Sequence, residues 1–103
     1  MRFIKLEKLI NLHDGYLKTF DINGSSFLLI QKNNNNHLYL NICPHKKQEL
    51  GENCLHDNII RCPWHGMEFN AQNGICENES SQHLKLTEFQ LAYEENFIGV
   101  YTD

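Results

Sequence analysis

Two short segments of this chain each join a cysteine to a histidine beside a proline: Cys43-Pro44-His45 and Cys62-Pro63-Trp64-His65. One residue separates the first pair, two separate the second, and sixteen lie between His45 and Cys62. If the four side chains share a metal centre, two distant loops must meet face to face, and that requirement shapes everything around them. Two thiolates and two imidazoles suit a single four-coordinate zinc. They also suit a 2Fe–2S centre in which two histidines take the place of two cysteines on one iron. Spacing separates the two readings. Structural zinc sites take ligands about two to four residues apart within a pair. With one residue between them in an extended segment, Cys43 and His45 point the same way, about 6–7 Å apart. That is awkward for one small ion and easy for two irons.

The rest of the chain bears on where such a centre would sit. At 103 residues it is expected to form one domain, residues 1–103, with one core. So small a domain has limited apolar surface to bury, and an internal metal centre would staple it. A formal net charge of −4 argues against nucleic-acid binding, which needs clustered Lys and Arg. No apolar run approaches the roughly 20 residues of a membrane span. The opening segment MRFIKLEKLINLHDG alternates apolar and charged residues, without the apolar stretch and small-residue cleavage site of a signal peptide. The expectation is a cytoplasmic protein with reduced thiols, in which four cysteines suggest metal ligation before disulfides. Cys54 and Cys76 are expected to be ordinary thiols rather than a clamp. His13, His37, His56 and His83 are read as surface residues.

The hydrophobic pattern is mostly that of strands. RFIKLEK alternates, with Phe3, Ile4 and Leu6 as candidates for burial, and YLKTFDI alternates again before the Asn23-Gly24 turn signal. SFLLIQK is an apolar run of strand length. Asn33 to Asn36 reads as a loop tip, because asparagine tolerates left-handed backbone. HLYLNI leads straight into Cys43, and EKLINLHD is one helical turn or a loop. Beyond the second Cys–His segment, MEFN is strand-like and Asn73-Gly74 closes a hairpin. HLKLTEFQLAYEE alternates through Leu84, Leu86, Phe89, Leu91 and Tyr93, and NFIGVY is a last strand. The sum is an all-β domain of roughly eight to ten short strands.

CPHKKQEL followed by RCPWHG resembles the signature of Rieske proteins: C-x-H, then C-x-x-H some 15–17 residues on. GYLKTFDINGSSFLLIQKNNNNHLYLNICPH resembles the approach to the cluster in Rieske-type ferredoxins, WHGMEFNAQNG the exit, and LKLTEFQLAYEENFIGVY the final hairpin. The resemblance implies an antiparallel β-sandwich or barrel with a small cluster-binding subdomain, about residues 42–69, formed by two loops. It implies one 2Fe–2S cluster, with Cys43 and Cys62 on one iron and His45 and His65 on the other. In the family the histidine edges face solvent and give an electron a short path to a partner.

Departures refine the expectation. Respiratory Rieske proteins carry a further cysteine in each loop, and these pair; here Lys46, Lys47 and Gln48 follow His45, and Trp64 precedes His65. The expectation is therefore a low-potential, ferredoxin-type protein. Lys46 and Lys47 stand where small residues or glycine are frequent, either as a docking patch or as solvated lysines. ENESSQHL, at the position of the family's proline-bearing cover loop, has no proline. Trp64 is expected to be partly exposed. The function implied is one-electron carriage by a monomer, from a flavin-dependent or similar reductase to a terminal oxygenase. The alternatives are a small Rieske-like subunit of an assimilatory nitrite reductase and a zinc-stabilised interaction module. A Rieske oxygenase would need a second domain with a mononuclear iron, so no bond-making chemistry is expected of these residues.

Overall fold

Where the alternation reads as strand, the chain forms strand. The computed structural model describes residues 1–45, 47–64 and 66–103. Among them are ten strands: β1 (Arg2–Lys8), β2 (Tyr16–Ile22), β3 (Ser25–Lys32), β4 (Asn35–Leu40), β5 (Leu55–His56), β6 (Ile59–Arg61), β7 (Glu68–Asn70), β8 (Glu88–Phe89), β9 (Ala92–Glu94) and β10 (Phe97–Thr102). They make three antiparallel sheets, ordered β1-β10-β9, β2-β3-β4-β8 and β5-β6-β7. EKLINLHD contributes a single 3-10 turn, Leu9–Asn11.

The β2-β3-β4-β8 sheet lies in the middle. Side chains on a strand alternate between faces, and in β3 both faces are covered. Leu28 and Ile30, with Tyr39 of β4, pack on one side against Cys43, Leu50, Cys54, Ile60, Cys62, Met67, Phe69, Ala71, Cys76 and Leu86. Leu29 and Leu38 pack on the other side with Tyr16, Ile22, Ile98 and Val100. This is why SFLLIQ is an unbroken apolar run: Leu28, Leu29 and Ile30 are all fully buried. The predicted Phe3, Ile4 and Leu6 of β1 reach only partial burial. Gly99 in β10 lets the β1-β10 pair close, because a Cβ there would lie 1.9 Å from the Ile4 carbonyl oxygen.

Two details depart from the sequence reading. Of the four asparagines, only Asn33 and Asn34 turn the chain, with φ of 54° and 65°, while Asn35 and Asn36 already pair in β4. A two-residue hairpin of this kind needs positive φ at two positions only. HLKLTEFQLAYEE does not run as one strand. It is broken into β8 and β9, leaving Phe89 and Tyr93 exposed while Leu86 is buried.

Candidate metal centre

A tight six-residue turn recurs three times in the lobe beyond β4. In the first, the Cys43 N–H donates to the Gln48 carbonyl (2.7 Å) and the Lys47 N–H to the Cys43 carbonyl (2.7 Å). In the second, the Cys62 N–H donates to Met67 (2.8 Å) and the Gly66 N–H to Cys62 (3.1 Å). In the third, the Asn70 N–H donates to Ile75 (2.9 Å) and the Gly74 N–H to Asn70 (2.7 Å). The fifth residue of each has positive φ: 58° at Lys47, 67° at Gly66 and 76° at Gly74. Such backbone favours glycine, so Lys47 holds a conformation that the other two turns leave to glycine.

The first two turns carry the residues singled out from sequence. Cys43 and Cys62 open their turns at equivalent positions, are both fully buried, and belong to the same apolar cluster. His45 is exposed. Trp64, at the tip of the second turn, is 62 % exposed, as the partial exposure expected of it requires. His65 and Lys46 lie outside the described residues. Among the described residues no group of three His, Cys, Asp or Glu side chains is placed to hold one ion. The donor chemistry fits a mixed-ligand cluster: sulfur donors are packed in an apolar interior and an imidazole faces solvent.

Cys54 and Cys76 are free thiols, both buried. Burial, with the nearby Cys62 adding to it, pushes the Cys54 thiol up to about 12. It is a protonated, apolar filler beside the second turn. His37 departs from its surface reading. Its side chain is 12 % exposed, Nδ1 lies 2.8 Å from Glu88 Oε2, Nε2 lies 3.3 Å from Gln72 Oε1, and the ring stacks on Tyr39. His13, His56 and His83 are exposed.

Three further residues hold this lobe, and sequence reading missed them. Asn41 is fully buried, and both of its side-chain polar atoms are engaged. Nδ2 donates to Ser26 Oγ (3.0 Å) and Glu49 Oε1 (3.1 Å), while Oδ1 accepts from the Leu50 N–H (3.1 Å) and the Gly51 N–H (3.0 Å). Tyr39, also fully buried, donates its hydroxyl to the Ala71 carbonyl (2.8 Å). Burial, with Glu88 adding to it, raises its phenol well above the usual tyrosine range, so it stays a donor. Glu52 accepts from both the N–H and the hydroxyl of Thr19 (3.0 Å each), which ties the segment after the first turn to the edge strand β2. The one sequence signal was a polar Asn41 inside an otherwise apolar approach to Cys43.

Comparison with known proteins bears on the family and the fold. The family described as Rieske [2Fe-2S] domain matches residues 3–90. Apoptosis-inducing factor 3 of Homo sapiens is 31% identical over 68 residues, 66% of this chain and 11% of that protein. The ferredoxin component of the alkene monooxygenase system of Xanthobacter autotrophicus is 32% identical over 65 residues, 62% of this chain and 53% of that protein. The chain thus matches a small part of the first relative and about half of the second. Among solved structures, a Sphingomonas yanoikuyae B1 ferredoxin superposes with a TM-score of 0.79 at 16% identity, covering 99% of this chain and 100% of that one. A chain from the complex of reduced oxygenase and oxidised ferredoxin in carbazole 1,9a-dioxygenase gives 0.76 at 19% identity, covering 92% and 97%. At such identities these structures report the fold, the antiparallel arrangement expected from the sequence.

Proposed function

The chain belongs to the Rieske [2Fe-2S] domain family, and from that premise we propose that it is a one-electron carrier whose cluster is held by Cys43 and Cys62 on one iron and His45 and His65 on the other. The cofactor of this domain is a 2Fe–2S cluster, which supplies a reversible one-electron couple. One observation carries the ligand assignment: two turns with the same hydrogen bonds present Cys43 and Cys62 at equivalent positions inside one apolar cluster.

The residues then divide the work. Burial of both cysteines keeps water from the sulfur end. His45, exposed on the first turn, gives a partner access to the nitrogen end. Trp64, on the tip of the second turn, offers the partner a large apolar contact. Mixed ligation leaves the oxidised centre without net charge, against about minus two for four thiolates. Adding an electron is correspondingly easier, and the potential rises toward the range of about −150 to +300 mV. With Cys54 and Cys76 both free, no disulfide adds its support at the loops. The potential therefore belongs in the lower part of that window.

The proposed path runs from a reductase, a flavoprotein being the common type, to a terminal oxygenase. The alkene monooxygenase ferredoxin component among the relatives and the oxygenase–ferredoxin complex of carbazole 1,9a-dioxygenase among the folds support an oxygenase as the acceptor. Among the described residues no helix is long and apolar enough to cross a membrane. The test is direct. Anaerobically purified protein should contain iron and acid-labile sulfide in equal amounts, give a rhombic EPR signal on reduction, and titrate as a single electron below about +150 mV. Protein carrying stoichiometric zinc and no sulfide would refute the reading.

A further inference from the structure

The three six-residue turns differ in what closes them. Beneath the Cys62–Met67 turn, β6 and β7 pair Arg61 with Glu68, Ile60 with Phe69 and Ile59 with Asn70. Beneath the Asn70–Ile75 turn, Phe69 bridges Cys76. Beneath the Cys43–Gln48 turn there is no strand pairing among the described residues: β4 ends at Leu40, and the chain leaving Gln48 runs on outside any strand. The side chain of Asn41 occupies that place. Its Oδ1 takes the Leu50 and Gly51 N–H groups that a returning strand would have given to backbone carbonyls, and its Nδ2 holds Glu49 and Ser26. Its own N–H donates to the Ser26 carbonyl (2.9 Å), so the clamp is anchored on the central sheet.

We propose that Asn41 is a positioning residue for the metal centre: it sets where the Cys43–His45 half stands relative to the Cys62 half. This rests on the ligand assignment above. The Cys62 half is located by a backbone ladder that side-chain changes barely touch. The Cys43 half is located by the buried amide of Asn41, two residues before the cysteine, with Glu52 tying the chain beyond it to β2. The geometry at the metal therefore depends on a fully buried side chain two residues before the cysteine. The requirement is specific. An apolar residue of similar size fills the space but strands the buried Leu50 N–H and the part-buried Gly51 N–H. Aspartate keeps both acceptor bonds but sets a carboxylate against Glu49.

The experiment compares wild type, Asn41→Leu, Asn41→Asp and Cys43→Ser as cluster-loaded proteins. It reads amide hydrogen exchange at Leu50 and Gly51 and the EPR spectrum of the reduced state. In Asn41→Leu, exchange at these two amides is expected to rise roughly tenfold or more, with Leu29 and Leu38 unchanged. The EPR lines are expected to broaden and shift as the first half loses its fixed position. In Asn41→Asp, protection at Leu50 and Gly51 stays within a few-fold of wild type, while the potential falls because a negative charge has been placed near the centre. Should Asn41→Leu fail to fold, Ser26→Ala/Glu49→Ala leaves Oδ1 in place but unheld. It is expected to move the same two amides and the same lines in the same direction by less. Unchanged EPR lines beside lost protection would reduce Asn41 to a structural residue and overturn the proposal; unchanged protection would overturn it at its first step. Cys43→Ser separates the two layers: if it keeps the wild-type spectrum, the ligand assignment itself falls.

Discussion

Replacing Tyr39 by phenylalanine removes one oxygen from the middle of the molecule. That hydroxyl donates to the Ala71 carbonyl at 2.8 Å, with both residues fully buried, and it joins the central sheet to the lobe that carries Cys62. The ring keeps its place, packed near Gly74 and stacked on His37, so the change is confined to the hydrogen bond. A net bond is worth about 1 kcal/mol, and a buried acceptor left without a donor costs about 1–3 kcal/mol. The expected loss is about 2 kcal/mol. Tyr16→Phe is the matched control. Its hydroxyl donates at 2.8 Å to Glu7 Oε2, but that carboxylate is only part-buried and keeps bonds from Asn11 and the Lys8 N–H on its other oxygen. Water can replace the lost donor, and the expected cost is below about 1 kcal/mol. Urea unfolding of the loaded proteins, followed by far-ultraviolet circular dichroism, gives both numbers. With m of about 1–3 kcal/mol per M, Tyr39→Phe should lower the midpoint by roughly 0.7–2 M at unchanged m. If Tyr16→Phe costs as much as Tyr39→Phe, burial of the acceptor is not what decides the penalty, and the reasoning fails.

Other outcomes follow from the same structure. Lys47→Gly relieves a left-handed residue, a strain of about 1–2 kcal/mol against a glycine entropy cost of about 0.5–1 kcal/mol; a gain of up to about 1.5 kcal/mol in urea unfolding is expected, and a loss would show that the lysine side chain stabilises the turn. Gly99→Ala forces a Cβ to within 1.9 Å of the Ile4 carbonyl oxygen; β1 must separate from β10 at a cost of about 3 kcal/mol or more, and an unchanged unfolding midpoint would contradict the packing. The Glu7 carboxyl is held below its ordinary value near 4.5 by hydrogen bonds from Asn11 and then Tyr16. A carboxyl lowered on folding lends stability that is present above its ordinary value and lost as pH falls through the lowered one; Glu7→Gln should flatten the acid limb of stability against pH below about 4.5, and an identical limb would remove Glu7 from the account.

The two Cys–His segments stood out because residue spacing is a local property; the structure seats Cys43 and Cys62 in matching turns, and their role as ligands is the proposal made above. The hairpin at Asn23-Gly24 was legible for the same reason, since only positive φ closes a two-residue loop. The two-sided burial of Leu28, Leu29 and Ile30 was hidden: an apolar run of strand length does not say which sheet covers which face. The split of HLKLTEFQLAYEE into β8 and β9 was likewise a tertiary outcome, in which one apolar position pairs or buries and the next faces water. Lys47 in left-handed backbone carries no signal, because lysine is not a residue of that conformation. Asn41 was visible as a polar residue before Cys43, but its four partners come from β3 and from the far side of the loop, and no local pattern points to them.

The Asn70–Ile75 turn carries no cysteine or histidine, yet it repeats the hydrogen bonds and the left-handed fifth residue of the two turns that do. A turn of this shape therefore needs neither cysteine nor histidine at its first position: the same backbone bonds close it on an asparagine.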